Sequence, residues 1–527
     1  MNFRVKPRAL ALAAFGLAAA FAAPAAADTS AEIRALKARL NKLEAEESAA
    51  RRAAKAEAAA HAAAAHAAPA AVAGHAPDAP KHWYEKISLR GYTQMRYNNI
   101  ISGTQYNDIF STGDRSLGPR QNFLIRRMRL IFSGDVTDHL YIYIQPDLAS
   151  SPPNSFSPNP TNVTDARYFF YNNQVGTYGN AAGYFAQLRD AYADISIDEK
   201  KEFRFRVGQS KIPYGFTNMQ SSQNRLTLDR PDAINSCCRD ERDLGIFFYY
   251  APEHMRKLFR DLVKNNLKGS GDYGMFALGI YNGQGANRID LNRNVHIVGR
   301  FTYPYVFENG QVVEASIQAY TGRFMPVTGS ITPSLGMATS TAGFRPAGYP
   351  AALTPFVNAP GYNNLSNFVL GNYPAAGAWG PSCVNGCQGI KDERVAVTAV
   401  IYPQPFGFQA EWNWGRGPVL DQTQMFIKTG NLNGGYFLAN YKYDDHEFGL
   451  GTFFPYVQWQ YYNGGSKFET NAPLQRLHEL DVGVEWQPLP EVEFTAAYVK
   501  MSRTNVGAAP YRQFNADLLR MQLQWNY

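Results

Sequence analysis

From about residue 86 onward the chain alternates apolar and polar residues with a period of two. In KISLRGYTQMRYN, Ile87, Leu89, Gly91, Thr93, Met95 and Tyr97 fall on one side and Ser88, Arg90, Tyr92, Gln94, Arg96 and Asn98 on the other. That is the pattern of a strand whose two faces meet different surroundings. Similar segments predict strands near 86–98, 121–134, 137–147, 186–197, 202–211, 243–251, 271–281, 294–303, 311–322, 393–402, 407–414, 434–443, 451–462, 477–487, 491–500 and 517–527. The count is sixteen, an even number. Short turns at 135–137, 198–201, 308–310, 403–406 and 488–490 mostly alternate with long polar loops, the longest spanning about 323–392. A soluble sandwich has no reason to sort its connections this way, whereas a membrane barrel keeps short turns on one rim and long loops on the other. The stretch 252–270 breaks the rhythm. At the chain's end Leu519, Met521, Leu523, Trp525 and Tyr527 oppose Arg520, Gln522, Gln524 and Asn526, a closing strand with an aromatic last residue of the kind outer-membrane assembly reads.

Upstream of residue 84 the periodicity is different. Arg4, Lys6 and Arg8 precede an apolar run from Ala9 to about Phe21, and Ala25-Ala26-Ala27 precedes Asp28. Residues 1–27 therefore read as a removed signal peptide, the apolar run being short for a membrane anchor. In residues 28–50, Ile33, Leu36, Leu40 and Leu43 follow 3-4-3 spacing, a short coiled-coil seam that is marginal alone and makes sense where chains already held together meet. A single amphipathic helix is the other reading. Residues 51–83 are an Ala/His/Pro-rich linker, and 84–527 form the barrel domain.

Composition narrows the class further. No later stretch of 18 apolar residues occurs and the mean hydropathy is −0.34, which excludes a bundle of membrane helices. Aromatic residues make up 14% of the chain, with 32 Tyr and 33 Phe, more than a core needs and suited to aromatic girdles at two membrane interfaces. The net charge of +7 accompanies no basic cluster, finger or helix-turn-helix pattern, so nucleic acid is not an expected partner. Of the four cysteines, Cys383 and Cys387 are spaced for a local loop disulfide, whereas adjacency strains a bridge between Cys237 and Cys238. Nothing in the sequence calls for a metal or a cofactor.

Sixteen strands leave a channel, so the inward face decides function. By parity it carries Arg90 and Arg96 on the first strand, Arg127 and Arg129 on the second, and Arg204 and Arg206 on the fifth. Arginine stays charged at any working pH, and its planar fork holds phosphate-like oxygens in pairs. Inward carboxylates at Asp190, Asp194, Glu479, Asp481 and Glu485 support a rival reading, a weakly selective general porin with a transverse field. Arg126 falls on the lipid side by strict alternation and needs a bulge, snorkelling or a subunit contact. The connection after strand five, with Lys211, Arg225 and Arg230 among its charges, is long enough to fold inward and set the width of the pore.

Three segments, FLIRRMRLIFSGDVTDHLYIYIQPD at 123–147, LRDAYADISI at 188–197, and FRFRVGQSKIPYGF at 203–216 followed by SSQNRLTLDR at 221–230, resemble the phosphate-selective porin O and P family. The resemblance covers roughly residues 86–527 and implies a homotrimer of sixteen-stranded barrels, an arginine ladder and a third loop folded inward. Carried over, the ladder falls on Arg126, Arg127 and Arg129, and Lys211 and Arg230 belong to the loop. Where phosphate-specific members have a lysine after the Ser-Ser pair, Gln223 follows Ser221 and Ser222. The expectation is an all-β transmembrane barrel in a Gram-negative outer membrane, surrounded by lipid and lipopolysaccharide. It passes small anions such as phosphate without catalysis. A barrel enzyme would need a nucleophile and base on neighbouring strands, yet four of the nine histidines sit in the linker. For a structural tether only the coiled coil and linker speak.

Overall fold

The computed structural model describes residues 82–103, 116–117, 122–149, 186–238, 242–288, 290, 292, 294–326, 389–420, 427–469, 472–504 and 513–527. The signal peptide, the coiled-coil segment, all but the end of the linker, and Cys383 and Cys387 lie outside them.

Among the described residues a short 3-10 turn, Trp83–Lys86, leads into seventeen strand segments. These are β1 Ser88–Gly103, β2 Asn122–Asp135, β3 Leu140–Asp147, β4 Gln187–Ser196, β5 Phe203–Lys211, β6 Arg242–Tyr250, β7 Phe276–Tyr281, β8 His296–Val306 and β9 Val312–Phe324. They continue with β10 Ile390–Ile401, β11 Phe406–Leu420, β12 Ile427–Tyr441, β13 Tyr443–Asp445, β14 Gly451–Gly465, β15 Leu474–Leu489, β16 Val492–Thr504 and β17 Gln513–Asn526. Segments β12 and β13 both pair with β14 and form one interrupted strand, so the sheet has sixteen. Each strand pairs antiparallel with its sequence neighbours, and β1 pairs with both β2 and β17, closing the barrel. Closure leaves no open edge, which a membrane requires because lipid offers backbone groups no partner.

All sixteen strands fall where alternation placed them. Several run further toward the long-loop rim: β11 reaches Leu420 rather than 414, and β12 begins at Ile427 rather than 434. Those extensions carry Gly415, Arg416, Gly417, Lys428 and Asn431, where the apolar face lapses although the ladder continues. β7 starts at Phe276, later than residue 271, because the preceding residues belong to an inward connection.

The burial pattern is inverted relative to a soluble sandwich. Large apolar side chains such as Val207, Ile246, Leu278, Ile280, Ile297 and Phe301 are exposed, whereas Gln94, Arg96, Arg129, Arg206 and Gln524 are buried. An apolar band of this extent is not tolerated on a soluble monomer, and the outward face is a lipid face. Trp412, Phe437, Trp459 and Tyr461 stack on one another across β11, β12 and β14 on that surface, as interfacial aromatics do.

The adjacent cysteines correct an expectation. Cys237 and Cys238 are bonded to each other, and both sit in an apolar cluster with Ile212, Tyr214, Phe247, Tyr249 and Tyr320. Their chain segment is folded into the barrel and walled by those rings, so packing rather than exposed-loop geometry sets the backbone there.

Candidate functional site

The loop after β5 turns into the lumen at Gly215, whose φ of +80° favours glycine and where a Cβ would meet Glu411 Oε1 at 2.9 Å. On one side it is fastened to β11: Tyr214 Oη donates to Asn413 Oδ1 (2.6 Å) and the Phe216 N–H to Glu411 Oε2 (2.7 Å). Farther along, Ser222 Oγ lies 2.6 Å from Tyr92 Oη of β1, and Gln94 Nε2 donates to Ser222 O (3.1 Å). The loop then returns to the other wall. Asp232 accepts from Arg503 of β16 (2.9 Å), and Arg394 of β10 donates to Ala233 O (3.0 Å) and Ser236 O (2.8 Å). A loop bonded to β1, β10, β11 and β16 crosses the lumen, as its length suggested.

At its centre Asp229 meets four guanidiniums. Oδ1 accepts from Arg126 and Arg127, each at 3.1 Å; Oδ2 accepts from Arg96 and, at 3.4 Å, from Arg520 of β17. Arg126 reaches this point by a bulge. The β1–β2 register passes from Gln94 opposite Arg127 to Met95 opposite Ile125, leaving Arg126 as the extra residue. Its side chain is 14% exposed and turned to Asp229 rather than to lipid. Of the three rescues open to it, the bulge is the one observed, and Arg126 and Arg127 thereby point the same way.

The other predicted residues lie apart from this cluster. Arg129 pairs with Asp147 (2.8 Å) and donates to Tyr92 Oη (2.7 Å). Arg206 binds both oxygens of Asp194 (2.7 and 2.9 Å), with its guanidinium 3.9 Å from the Tyr192 ring centre and close to Tyr249 and Tyr273. Arg204 is held by Asp272 (2.7 Å). Lys211 donates to the carbonyls of Met219 (3.1 Å) and Gln220 (2.7 Å), so it braces the loop from within. Arg230 donates to Asn218 Oδ1 (2.7 Å), and Arg225 is buried in the same loop. Arg90 is exposed on β1, toward the short-turn rim.

Alternation also marked Asp190, Asp194 and Glu479 as inward, and they take Arg242 (2.7 Å), Arg206 and Arg503 respectively. Arg520 and Arg503 were missed as cluster members although both sit at inward parity in β17 and β16; nothing local links them to Asp229 or Asp232. Arg300 with Glu314 (3.1 Å), and Lys467 with Asp392, were missed likewise.

A closed barrel with an inward loop and converging guanidiniums is matched by a family model, phosphate-selective porin O and P, over residues 99–347 and 374–527. The chain belongs to that family. It is an outer-membrane porin of a Gram-negative bacterium, a channel rather than an enzyme. No curated protein matches this porin significantly. Solved structures similar to it include OprB of Pseudomonas putida (7% identity, TM-score 0.45, covering 84% of this chain and 94% of that one). An anion-selective porin from Comamonas acidovorans (9%, 0.41, 84% and 99%) and OmpT of Vibrio cholerae (8%, 0.41, 84% and 97%) are further examples. At such identities and scores they add nothing to the barrel read from strand pairing.

Proposed function

We propose that this porin is a passive channel for small oxyanions, phosphate or similar, whose path runs along the inward arginines at the loop. The observation that carries the reading is the seat of Asp229: each of its two oxygens takes two guanidiniums. A carboxylate is itself a planar oxyanion, and a site that seats one by paired N–H donors has the geometry to pass another. Successive weak sites of this kind favour conduction over capture. Gln223, standing where a lysine marks phosphate-specific members, fits a range wider than phosphate alone.

The rest of the proposal follows the sequence. Residues 1–27 are cleaved on export, 28–50 form a coiled coil joining three barrels, and 51–83 tether it to the barrel in lipid and lipopolysaccharide.

A second reading, a general porin, is favoured by one observation. Arg129, Arg204, Arg206, Arg242, Arg300 and Arg503 are all paired with carboxylates, so those charges shape a field rather than attract ions. The zero-current potential of the purified porin in a planar bilayer under a KCl gradient decides between them. An anion-selective potential, with chloride current blocked by added phosphate, is expected. A near-zero or cation-selective potential establishes the general porin.

A further inference from the structure

A second segment enters the lumen, from the short-turn rim. Neighbouring antiparallel strands can be joined by two to five residues, yet β6 and β7 are joined by residues 251–275. After Pro252 this connection forms the helix Glu253–Lys264. Leu262 of the helix packs with Phe216 of the inward loop, Val312 of β9, and Val400 and Tyr402 at the end of β10. Past the helix, Lys442 donates to Asn265 O (3.4 Å), and Asn266 Nδ2 donates to Gln487 Oε1 (2.5 Å) on β15. Lys268 Nζ lies 2.5 Å from Glu485 Oε1, also on β15, with both side chains 1% exposed, and 4.5 Å from the centre of the Phe454 ring. The return to β7 is fixed by Asp272, which takes Arg204 (2.7 Å) and Arg256 (3.0 Å).

The strand order gives these contacts their meaning. With β12 and β13 counted as one strand, β6 is the sixth member of the ring and β15 the fourteenth of sixteen, half a turn apart. The connection therefore spans the lumen and does not lie along the rim. It also meets the loop entering from the other side, since Gln220 Nε2 donates to Lys268 O (2.8 Å). Lys268 adopts φ +60°, a conformation a lysine keeps only where its surroundings fix it from several directions.

We propose that residues 251–275 are a second sieve in series with the inward loop, a crossbar whose far end is latched by Lys268 on Glu485. A buried ion pair adds little net stability, and the role assigned to this one is fixed geometry, which is what a size limit needs. The two charges of the latch also cancel, so the latch itself adds nothing to the sign of the path. It sorts by size while the arginines act on charge. The inference rests on the channel assignment and not on the proposed anion preference.

Two variants test it in planar bilayers and in liposome swelling with neutral sugars of increasing size. One replaces residues 253–271 by a short Gly-Ser turn; the other combines Lys268→Met with Glu485→Gln, which removes the latch without leaving a lone buried charge. Folding is checked by heat-modifiable gel mobility. Single-channel conductance should rise about twofold in both, larger sugars should enter, and in the charge-balanced Met/Gln variant the sign of the zero-current potential should not change. The exchange Lys268→Glu with Glu485→Lys should return conductance toward the starting value. Unchanged conductance and sugar cut-off in a folded shortened-turn variant overturn the proposal. If that variant does not fold, unchanged values in the Met/Gln variant overturn it. Loss of anion preference with a raised conductance in the Met/Gln variant, whose net charge is unchanged, would count against the proposed function and leave the sieve standing.

Discussion

Replacing Asp229 by Asn removes one negative charge from the point where Arg96, Arg126, Arg127 and Arg520 converge and leaves the shape of the site nearly unchanged. A unit charge at ~4 Å is worth ~1 kcal/mol in bulk water and ~4 kcal/mol at an effective dielectric of about 20. A permeating ion passes beyond the guanidiniums, at about twice that distance, so the effect on its energy is roughly 0.5–2 kcal/mol. Anions gain this amount and cations lose it. The chloride-to-potassium ratio should therefore change by about 1–4 kcal/mol, at least about fivefold. The loop stays in place because Tyr92, Arg394, Glu411 and Arg503 hold it elsewhere. The assay is the reversal potential under a KCl gradient at ~0.1 M, where the screening length is still ~10 Å. A ratio that stays constant, or moves toward potassium, refutes the claim that ions pass this cluster.

Three further outcomes are expected. Arg206→Gln takes away the bidentate partner of Asp194 and leaves it Arg204 at 3.9 Å, and since breaking a buried pair costs ~3–5 kcal/mol, the urea midpoint of the folded barrel should fall clearly; an unchanged midpoint sinks the view that Arg206 is structural. Gln223→Lys adds an ammonium to the inward loop, and phosphate should then block chloride current at lower concentration than before, whereas an equal or weaker block dissociates that position from phosphate. Acid should loosen the crossbar: burial pushes the Asp272 carboxyl up, but Arg204 and Arg256 outweigh it and hold it below its usual range. Its hold is therefore complete above pH ~4 and lost only as pH falls through the depressed value. Conductance should be flat from neutral pH to about 4 and rise below; a rise already near neutrality would exclude Asp272 as the cause.

Strand existence was legible because one face of every strand meets lipid and the other a polar lumen, so the period-two signal runs through β5, β8 and, from Glu479 onward, β15. The inward loop was legible from its length alone. Its targets were not, because the pairing of Asp229 with Arg520, or of Asp232 with Arg503, joins residues hundreds of positions apart through a closure that no window of sequence contains. The helix of the crossbar carried a readable signal. Met255, Leu258, Phe259, Leu262 and Val263 recur at helical spacing directly after Pro252, in the one turn that broke the alternation of short and long connections. Arg126 was readable as an anomaly, and the bulge resolved it.

That bulge can also be described as a change in linear charge density. On a regular strand, side chains sharing a face are spaced two residues apart, about 7 Å, which caps how closely positive charge can be lined up along a wall. Inserting Arg126 beside Arg127 puts three cations within four consecutive residues on one side. The wall there approaches the charge spacing of a polyelectrolyte, with Asp229 and Asp147 standing as its fixed counterions.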